Sequence, residues 1–484
     1  MLENKTVNNK VWILKSILSA WLILAAGVML YVMIEHQILP STFRMGVIMV
    51  TAVILVLLIF GLARAHKRWT FATMAVIISI VAAFYTLGAY TVLTTAGGLN
   101  KMTTTEPETV SMALVARNDY PDDFADRINT SKIGLALAQD EENICNFLQE
   151  LQENNIAPQP VERSSYSEAA QALLSADTDL MVLNEAYRPL IEEVLPQFST
   201  DTKVLEVYHI EAVTEAPPVT EVPSETAANA VNIYLSGIDT RGPMTSSSRS
   251  DVNILVTMNF DQKRAQILSV PRDSYVQIPG YGMNEYDKLT HAGVYGVNTS
   301  RQTMENLLLT QIPYYARVNF TSFRELIDAV GGITIDNPAA FSHGEHYFPQ
   351  GEVELNGEQA LAFVRERYSL AEGDIGRSNN QVILIEALMK KMLQPAMLPQ
   401  IPSLINMLGD SVDTNMRTNE MMNVANQFMT QTGDWEFEQV VLEGTGASGL
   451  PSYAMPGSDL YMYVLDEESL KEAQTKIHEL MIKE

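Results

Sequence analysis

Between Leu355 and Gln381 the chain reads LNGEQALAFVRERYSLAEGDIGRSNNQ, with Arg365, Arg367 and Arg377 close together. The whole chain carries a formal net charge of −26, so a local gathering of guanidinium groups is not scattered surface charge. Forked guanidinium groups suit phosphate oxygens, and an anionic ligand is the chemistry this stretch suggests. The composition of Ala360–Arg365 predicts a strand, which would turn Arg365 and Arg367 to one face. Gly376 would then open a turn that brings Arg377 and Gln381 back towards them. Upstream, Arg241, Arg272 and Lys288 are further cations, and Asp239 and Asp251 stand at the end of one expected strand and the start of the next. Two carboxylates with open positions suit Mg²⁺ or Mn²⁺, which take oxygen ligands and keep waters and substrate phosphates. Cations around a diphosphate, a metal on paired acids and a carboxylate to accept a hydroxyl proton are what phosphoryl transfer requires. Taken singly, Asp and Arg at strand ends are as often turn residues or surface ion pairs, so spacing alone leaves both readings open.

Other reactive residue types point nowhere definite. The single Cys145, in NICNFL, reads as a small core residue of a helix. His343 and His346 form H-x-x-H without a third ligand at a metal-binding spacing, and read as loop residues. Ser250 has no G-x-S-x-G turn around it.

These residues need elements to hold them. Three apolar segments come first, Val11–Ile34, Met45–Leu62 and Phe71–Leu93, each long enough at about 20 residues to cross a bilayer. Lys5 and Lys10 precede the first and Lys15 lies near its start, and Arg64, Lys67 and Arg68 lie between the second and third. The positive-inside rule therefore puts the N-terminus in the cytoplasm and everything after the third span outside. The first hundred residues carry a balance of +5, which leaves −31 for the rest. No broad basic face is available there, which argues against nucleic acid as a partner.

The expected organisation is a transmembrane helical region over 1–100, a small α/β accessory domain over 111–213 with a mostly parallel sheet, and a linker over 214–229. A mixed-sheet α/β sandwich follows over 231–484, with its motifs in 231–395. In the sandwich, 252–260 and the return after AspGln read as a β-hairpin. Ser322–Val330 reads as a helix opened by a capping box of Ser322 and Glu325, and 381–393 as an amphipathic helix.

GIDTR (237–241), RSDVNILVTMN (249–259), ILSVPRDSYVQIPG (267–280), DKLTHAG, NFTSFRELIDAVGGITID (319–336) and the arginine stretch occur in that order, over about Val231 to Pro395. Together they resemble the LytR-CpsA-Psr family. The three spans and smaller intervening domain resemble its capsule-type members more loosely. The resemblance implies a membrane-anchored enzyme moving a glycopolymer, teichoic acid or capsular polysaccharide, from a polyprenyl diphosphate carrier to peptidoglycan as a phosphodiester. It makes Asp239 and Asp251 the Mg²⁺-binding acids. It makes Arg272, Arg365, Arg367 and Arg377 the diphosphate clamp, with Arg241, Lys288 and Gln381 supporting, and puts the polyprenyl tail in an apolar pocket between sheet and helices. Capsule or wall-polymer synthesis proteins would be partners. One departure is Asn380, where many members carry Arg. Hydrolysis of the lipid diphosphate by water would use the same site, and a non-catalytic scaffold for polymer synthesis is the reading from a different class.

Overall fold

The structure, a computed structural model, describes residues 2–36, 41–103, 109–121, 127–211, 229–238, 248–409, 411–430 and 434–482. The expected linker lies almost wholly outside these residues. The contacts divide the chain into two units.

The first unit holds three long helices, α1 (Leu2–Glu35), α2 (Ser41–Arg64) and α3 (Arg68–Met102). All three are long and apolar enough to cross a membrane. Leu22, Ala26, Ile78, Ala82 and Tyr85 pack between them. Leu24, Val56, Ile80 and Phe84 point outward and are more than half exposed, the pattern of a bundle whose solvent is lipid rather than water. Helix α3 runs on to Met102, so the stretch from Gly97 begins as helix. Residues 392–410 and 416–433 belong to this unit. A Cβ on Gly98 would meet the Ile405 carbonyl at 3.0 Å, and Thr103 donates to the Met416 carbonyl at 2.9 Å.

The second unit begins with a five-stranded sheet. Its strands are β1 (Thr109–Arg117), β2 (Lys132–Leu135), β3 (Gln159–Glu162), β4 (Leu180–Asn184) and β5 (Thr202–Glu211), in the order β3-β2-β4-β1-β5. Helices α4 (Leu137–Glu153), α5 (Tyr166–Leu174), α6 (Arg188–Val194) and α7 (Phe198–Asp201) connect them. The sheet is mixed rather than mostly parallel: β2 pairs parallel with β3 and β4, while β1 pairs antiparallel with β4 and β5. Cys145 is exposed on α4, not a core residue. Ile144, Phe147 and Leu151 form the buried stripe, and position 145 falls off it at 3.6 residues per turn.

The second sheet is built from β6 (Ala230–Ile238), β7 (Ser250–Asn259) and β8 (Arg264–Ser269), of which β7 and β8 are the expected hairpin. A two-stranded sheet of β9 (Tyr275–Ile278) and β10 (Glu285–Lys288) follows, then helix α8 (Val297–Leu308), strand β11 (Tyr314–Asn319) and helix α9 (Phe320–Ala329). Helix α9 is capped by Asn319, whose side chain accepts from the Ser322 amide; the expected Ser322 box lies one turn inside it. Strands β12 (Ile333–Asn337), β13 (Phe341–His343), β14 (His346–Phe348) and β15 (Gly351–Leu355) lead to α10 (Gly357–Arg365) and α11 (Asp374–Met392). Next come α12 (Ile401–Leu408), β16 (Val412–Thr414), α13 (Thr418–Thr430), β17 (Glu436–Val441), β18 (Gly444–Ala447), β19 (Met462–Leu465) and α14 (Glu467–Met481). The large sheet has the order β16-β11-β6-β7-β8-β17. Tyr234, Leu255 and Leu268 face Val297, Met304, Ala473 and Ile477 of α8 and α14. On the other face Gln439 donates to Glu386 of α11 at 2.6 Å, and Ile233, Leu235, Val252 and Val318 are only partly covered.

The two sheets of this unit share a core, in which Leu183, Tyr187 and Leu190 pack with Val294, Met455, Leu460 and Met462. Gln139 of α4 donates to the Ala454 carbonyl at 3.0 Å.

Candidate functional site

The site is built where β7 begins. Ile238 pairs with Ser250 across a register shift next to Gly237, an irregularity that re-aims the start of β7. Ser250 is locked from below: its hydroxyl bonds Ser236 at 2.8 Å and Tyr234 at 3.1 Å, and its carbonyl accepts from Asn253 at 3.0 Å. Gly293 of the THAG loop passes so close that a Cβ there would lie 2.3 Å from the Ser248 carbonyl, so only glycine fits. With Ser250 fixed, Asp251 has one place to go.

Around Asp251 the structure gathers several of the expected cations. Arg272 donates to Asp251 at 2.9 Å, with Asp273 at 3.7 Å and Asp374 at 3.9 Å from its Nε. Arg377 pairs with Asp374 at 2.8 Å and Arg367 lies 3.8 Å from it. Lys288 stands 3.4 Å from Asp273. Thr290 donates to Asp251 at 3.2 Å. The segment that carries Lys288 and Thr290 is tied to the Arg272 turn through Leu289 N to Ser274 O and Thr290 N to Arg272 O. Lys288 ends β10 rather than lying in a loop.

The charges set one another's protonation. Burial pushes the Asp251 carboxyl up, but Arg272, Arg249 and Arg377 outweigh it and hold it below the ordinary aspartate range. Asp374 goes the other way: burial and the negative charge of Asp273 raise it against the pull of Arg377, Arg272 and Arg367. Arg272 is raised, its burial overcome by Asp251, Asp273 and Asp374. Ionised Asp251 has the donor chemistry of a Mg²⁺ or Mn²⁺ ligand. Among the described residues no group of three or more histidines, cysteines or acids could hold a metal ion. Asp239 and Arg241, the other expected metal ligand and supporting cation, lie outside the described residues.

The arginine stretch differs from expectation. Residues 357–365 are the helix α10, not a strand. Asn356 and Gln359 form a reciprocal capping box, and Ala360 and Phe363 are buried at helical spacing. Gly376 is inside α11, so Arg377 and Gln381 stand one turn apart on a helix rather than beyond a turn. Arg367 therefore reaches the cluster from the connection between the helices, while Arg365 is exposed and lies over the Phe320 ring at 4.5 Å. Among the described residues Arg365 has no ion pair with the cluster. Gln381 is buried, with 7% exposure. Asn380 is buried and donates to the Phe363 carbonyl at 3.1 Å, binding α11 to α10. His343 and His346 pair across β13 and β14, with His343 2.5 Å from Glu366.

Reading the sequence missed four members. Asp273 and Asp374 lie inside the PRD and GDIGR motifs, where an acid beside an arginine was the available signal. Arg249 and Glu193 form a 2.6 Å ion pair, and Glu193 is also 3.9 Å from Lys288. Glu193 comes from α6, so the first sheet of this unit contributes a carboxylate to the cationic rim; nothing local to residue 193 could signal that.

Comparison with known proteins follows the same outline. The profile of the LytR_cpsA_psr family matches residues 197–479, more than half of the chain. A profile described as DNA polymerase processivity factor matches 65–183, a shorter stretch that starts at the apolar helix α3. The polyisoprenyl-teichoic acid–peptidoglycan teichoic acid transferase TagU of Oceanobacillus iheyensis is 32% identical over 256 residues, 51% of this chain and 75% of that protein. Its namesake in Enterococcus faecalis is 34% identical over 217 residues, 44% and 70% of the two chains. Among solved structures, B. subtilis TagU is 28% identical with a TM-score of 0.42, covering 53% of this chain and 98% of that one. B. subtilis TagV is 28% identical with a TM-score of 0.45, covering 52% and 98%. With its motifs in order and the matched segment spanning the charged cluster, the chain belongs to the LytR-CpsA-Psr family.

Proposed function

We propose that this protein is a membrane-anchored phosphotransferase that moves a glycopolymer from a polyprenyl diphosphate carrier onto peptidoglycan. The observation that carries this is the convergence of Arg272, Arg367, Arg377 and Lys288 on Asp251, Asp273 and Asp374 in a chain of this family. Relatives named for the transfer of teichoic acid from a polyisoprenyl carrier to peptidoglycan support it. In this reading the N-terminus is cytoplasmic and the second unit faces outward, as the basic residues in the first part of α1 and around the α2–α3 connection favour.

The acceptor hydroxyl attacks the glycan-bearing phosphorus. The bond to the bridging oxygen breaks, and polyprenyl phosphate leaves. The guanidinium groups of Arg272, Arg367 and Arg377 neutralise the oxygens that gain charge, and Arg365 joins them by leaving Phe320. Arg272, Arg367 and Arg377 are each already paired with a carboxylate, so that part of the site is organised before substrate arrives. Asp251, held ionised, and Asp239 would hold Mg²⁺ or Mn²⁺, which would supply charge neutralisation on the phosphates. Asp374, with its raised proton affinity, is the better placed acid to take the hydroxyl proton. The partly covered aliphatic residues Ile233, Leu235, Val252 and Val318 would receive the carrier's apolar tail.

The test is turnover of a short-chain polyprenyl diphosphate glycan by the full chain in detergent, with and without a peptidoglycan oligomer. Asp251→Ala should abolish release of polyprenyl phosphate in both. Undiminished function of that variant in cells would sink the enzymatic reading and favour a scaffold.

A further inference from the structure

Two exposed tyrosines border the charged cluster and have no part in the mechanism above. Tyr461 is 50% exposed and Tyr368 is 86% exposed. Tyr368 lies on Arg367: the guanidinium is 4.6 Å from its ring, and its hydroxyl accepts from Nη2 at 2.5 Å. Arg367 in turn reaches Asp374. Tyr461 immediately precedes β19, which is fastened to the turn that carries Arg272. Tyr463 N donates to the Asp273 carbonyl at 2.8 Å, and Ser274 bridges Tyr463. The Tyr461 phenol is raised first by partial burial, then by the charges of Asp273 and Asp374, as expected of a ring at the mouth of the cluster.

The hairpin of β18 and β19 is built to hold that ring. Gly444 and Gly446 alternate along β18, and Tyr463 and Tyr461 lie over them. A Cβ on Gly444 would come within 2.9 Å of the Tyr463 ring, and one on Gly446 within 2.7 Å of the Tyr461 ring. Tyr463 is buried, whereas Tyr461 rests on bare backbone with half its surface open. A rigid aromatic face beside a phosphate-binding cluster suits a ligand with an apolar ring face and a hydroxyl edge. A pyranose has both. An alkyl chain is poorly suited to a mouth lined by Asp273, Asp374 and Arg367.

We propose that Tyr461 and Tyr368 form the acceptor subsite, stacking on sugar rings of the peptidoglycan strand and presenting its hydroxyl to Asp374 and Arg272. The proposal rests on the transferase reading and adds the residues that recognise the acceptor. The experiment titrates the full chain in detergent with a peptidoglycan-derived tetrasaccharide by calorimetry, then measures transfer. Tyr461→Ala should weaken tetrasaccharide binding about tenfold, the size of a lost stacking contact, and raise the acceptor KM by the same factor. The kcat and the donor KM should move less than twofold. Tyr461→Phe should bind within about twofold of the parent. Tyr368→Ala, a change at an open position, should weaken acceptor binding severalfold without lowering the melting temperature. Equal tetrasaccharide binding by the parent and both alanine variants overturns the subsite, as does a rise in donor KM without one in acceptor KM. Absence of any transfer product, with tetrasaccharide binding lost as expected, would overturn the transferase reading and leave the glycan subsite standing.

Discussion

Asp251 and Asp374 face the same guanidinium group from different elements and differ in what they can do. Asp251 is hemmed in by positive charge that holds its carboxyl below the ordinary aspartate range, which suits a metal ligand and makes it a weak base. Asp374 is raised, and proton transfer is most efficient when the catalytic pKa approaches the working pH. Asp374→Asn should therefore lower the rate of transfer about 100-fold while donor binding, measured in the absence of acceptor, stays within a fewfold. The arginines are also unequal. Arg377 is inside the cluster with a 2.8 Å partner, and Arg377→Ala should weaken diphosphate binding by about 2 kcal/mol, a loss near 30-fold in Kd. Arg365→Ala should cost less, because its side chain must first leave Phe320; calorimetry with a soluble diphosphate analogue ranks the two.

At the scale of elements, Asp287 ties the second unit together. At the end of the β9–β10 ribbon it is 1% exposed and accepts from His291 at 2.7 Å, from Ser452 and from the Ala454 amide. Burial raises its carboxyl, but His291 and the two amides of Ala454 and Lys288 prevail and its pKa is lowered. Removing its charge leaves those donors without their anion, and Asp287→Asn should destabilise the protein by about 3 kcal/mol. A group with a depressed folded pKa stabilises above its unfolded value and loses that stabilisation as pH falls through the folded one. Thermal unfolding should thus show a parent–variant gap that persists from neutral pH to about pH 4 and closes only below it. What the sequence discloses at this scale follows its periodicity. The β7–β8 hairpin and the apolar stripe of α4 repeat often enough to be read. AlaLeuAlaPheVal is too short a run to separate strand from helix by period. The deciding signal was the cap, Asn356 with Gln359, just before it. Asn380 reads as a lost cation from the motif alone, because a motif does not disclose that position 380 faces the α10 backbone. Glu193 was beyond reach, since its partners are supplied by folding across the chain.

For the molecule as a whole, the lone thiol offers a measure of topology. Cys145 is exposed on α4, and the proposed orientation, with the second unit outside the cell, predicts that it reacts with a membrane-impermeant maleimide on intact cells, at the same extent as after permeabilisation. Labelling only after permeabilisation would reverse the assigned orientation. The charge distribution fits an enzyme whose lipid carrier and polymer meet at a surface. The helices are nearly free of acids, and the rest of the chain is strongly acidic. The central claim is that the phosphate travels with the glycan. It is tested most directly by mass spectrometry of the products formed by the full chain from a polyprenyl diphosphate glycan, Mg²⁺ and a peptidoglycan oligomer. A glycan–phosphate–peptidoglycan adduct with equimolar polyprenyl phosphate is the predicted result. Polyprenyl phosphate with free glycan phosphate, in the presence of saturating acceptor, would contradict it and make the protein a hydrolase.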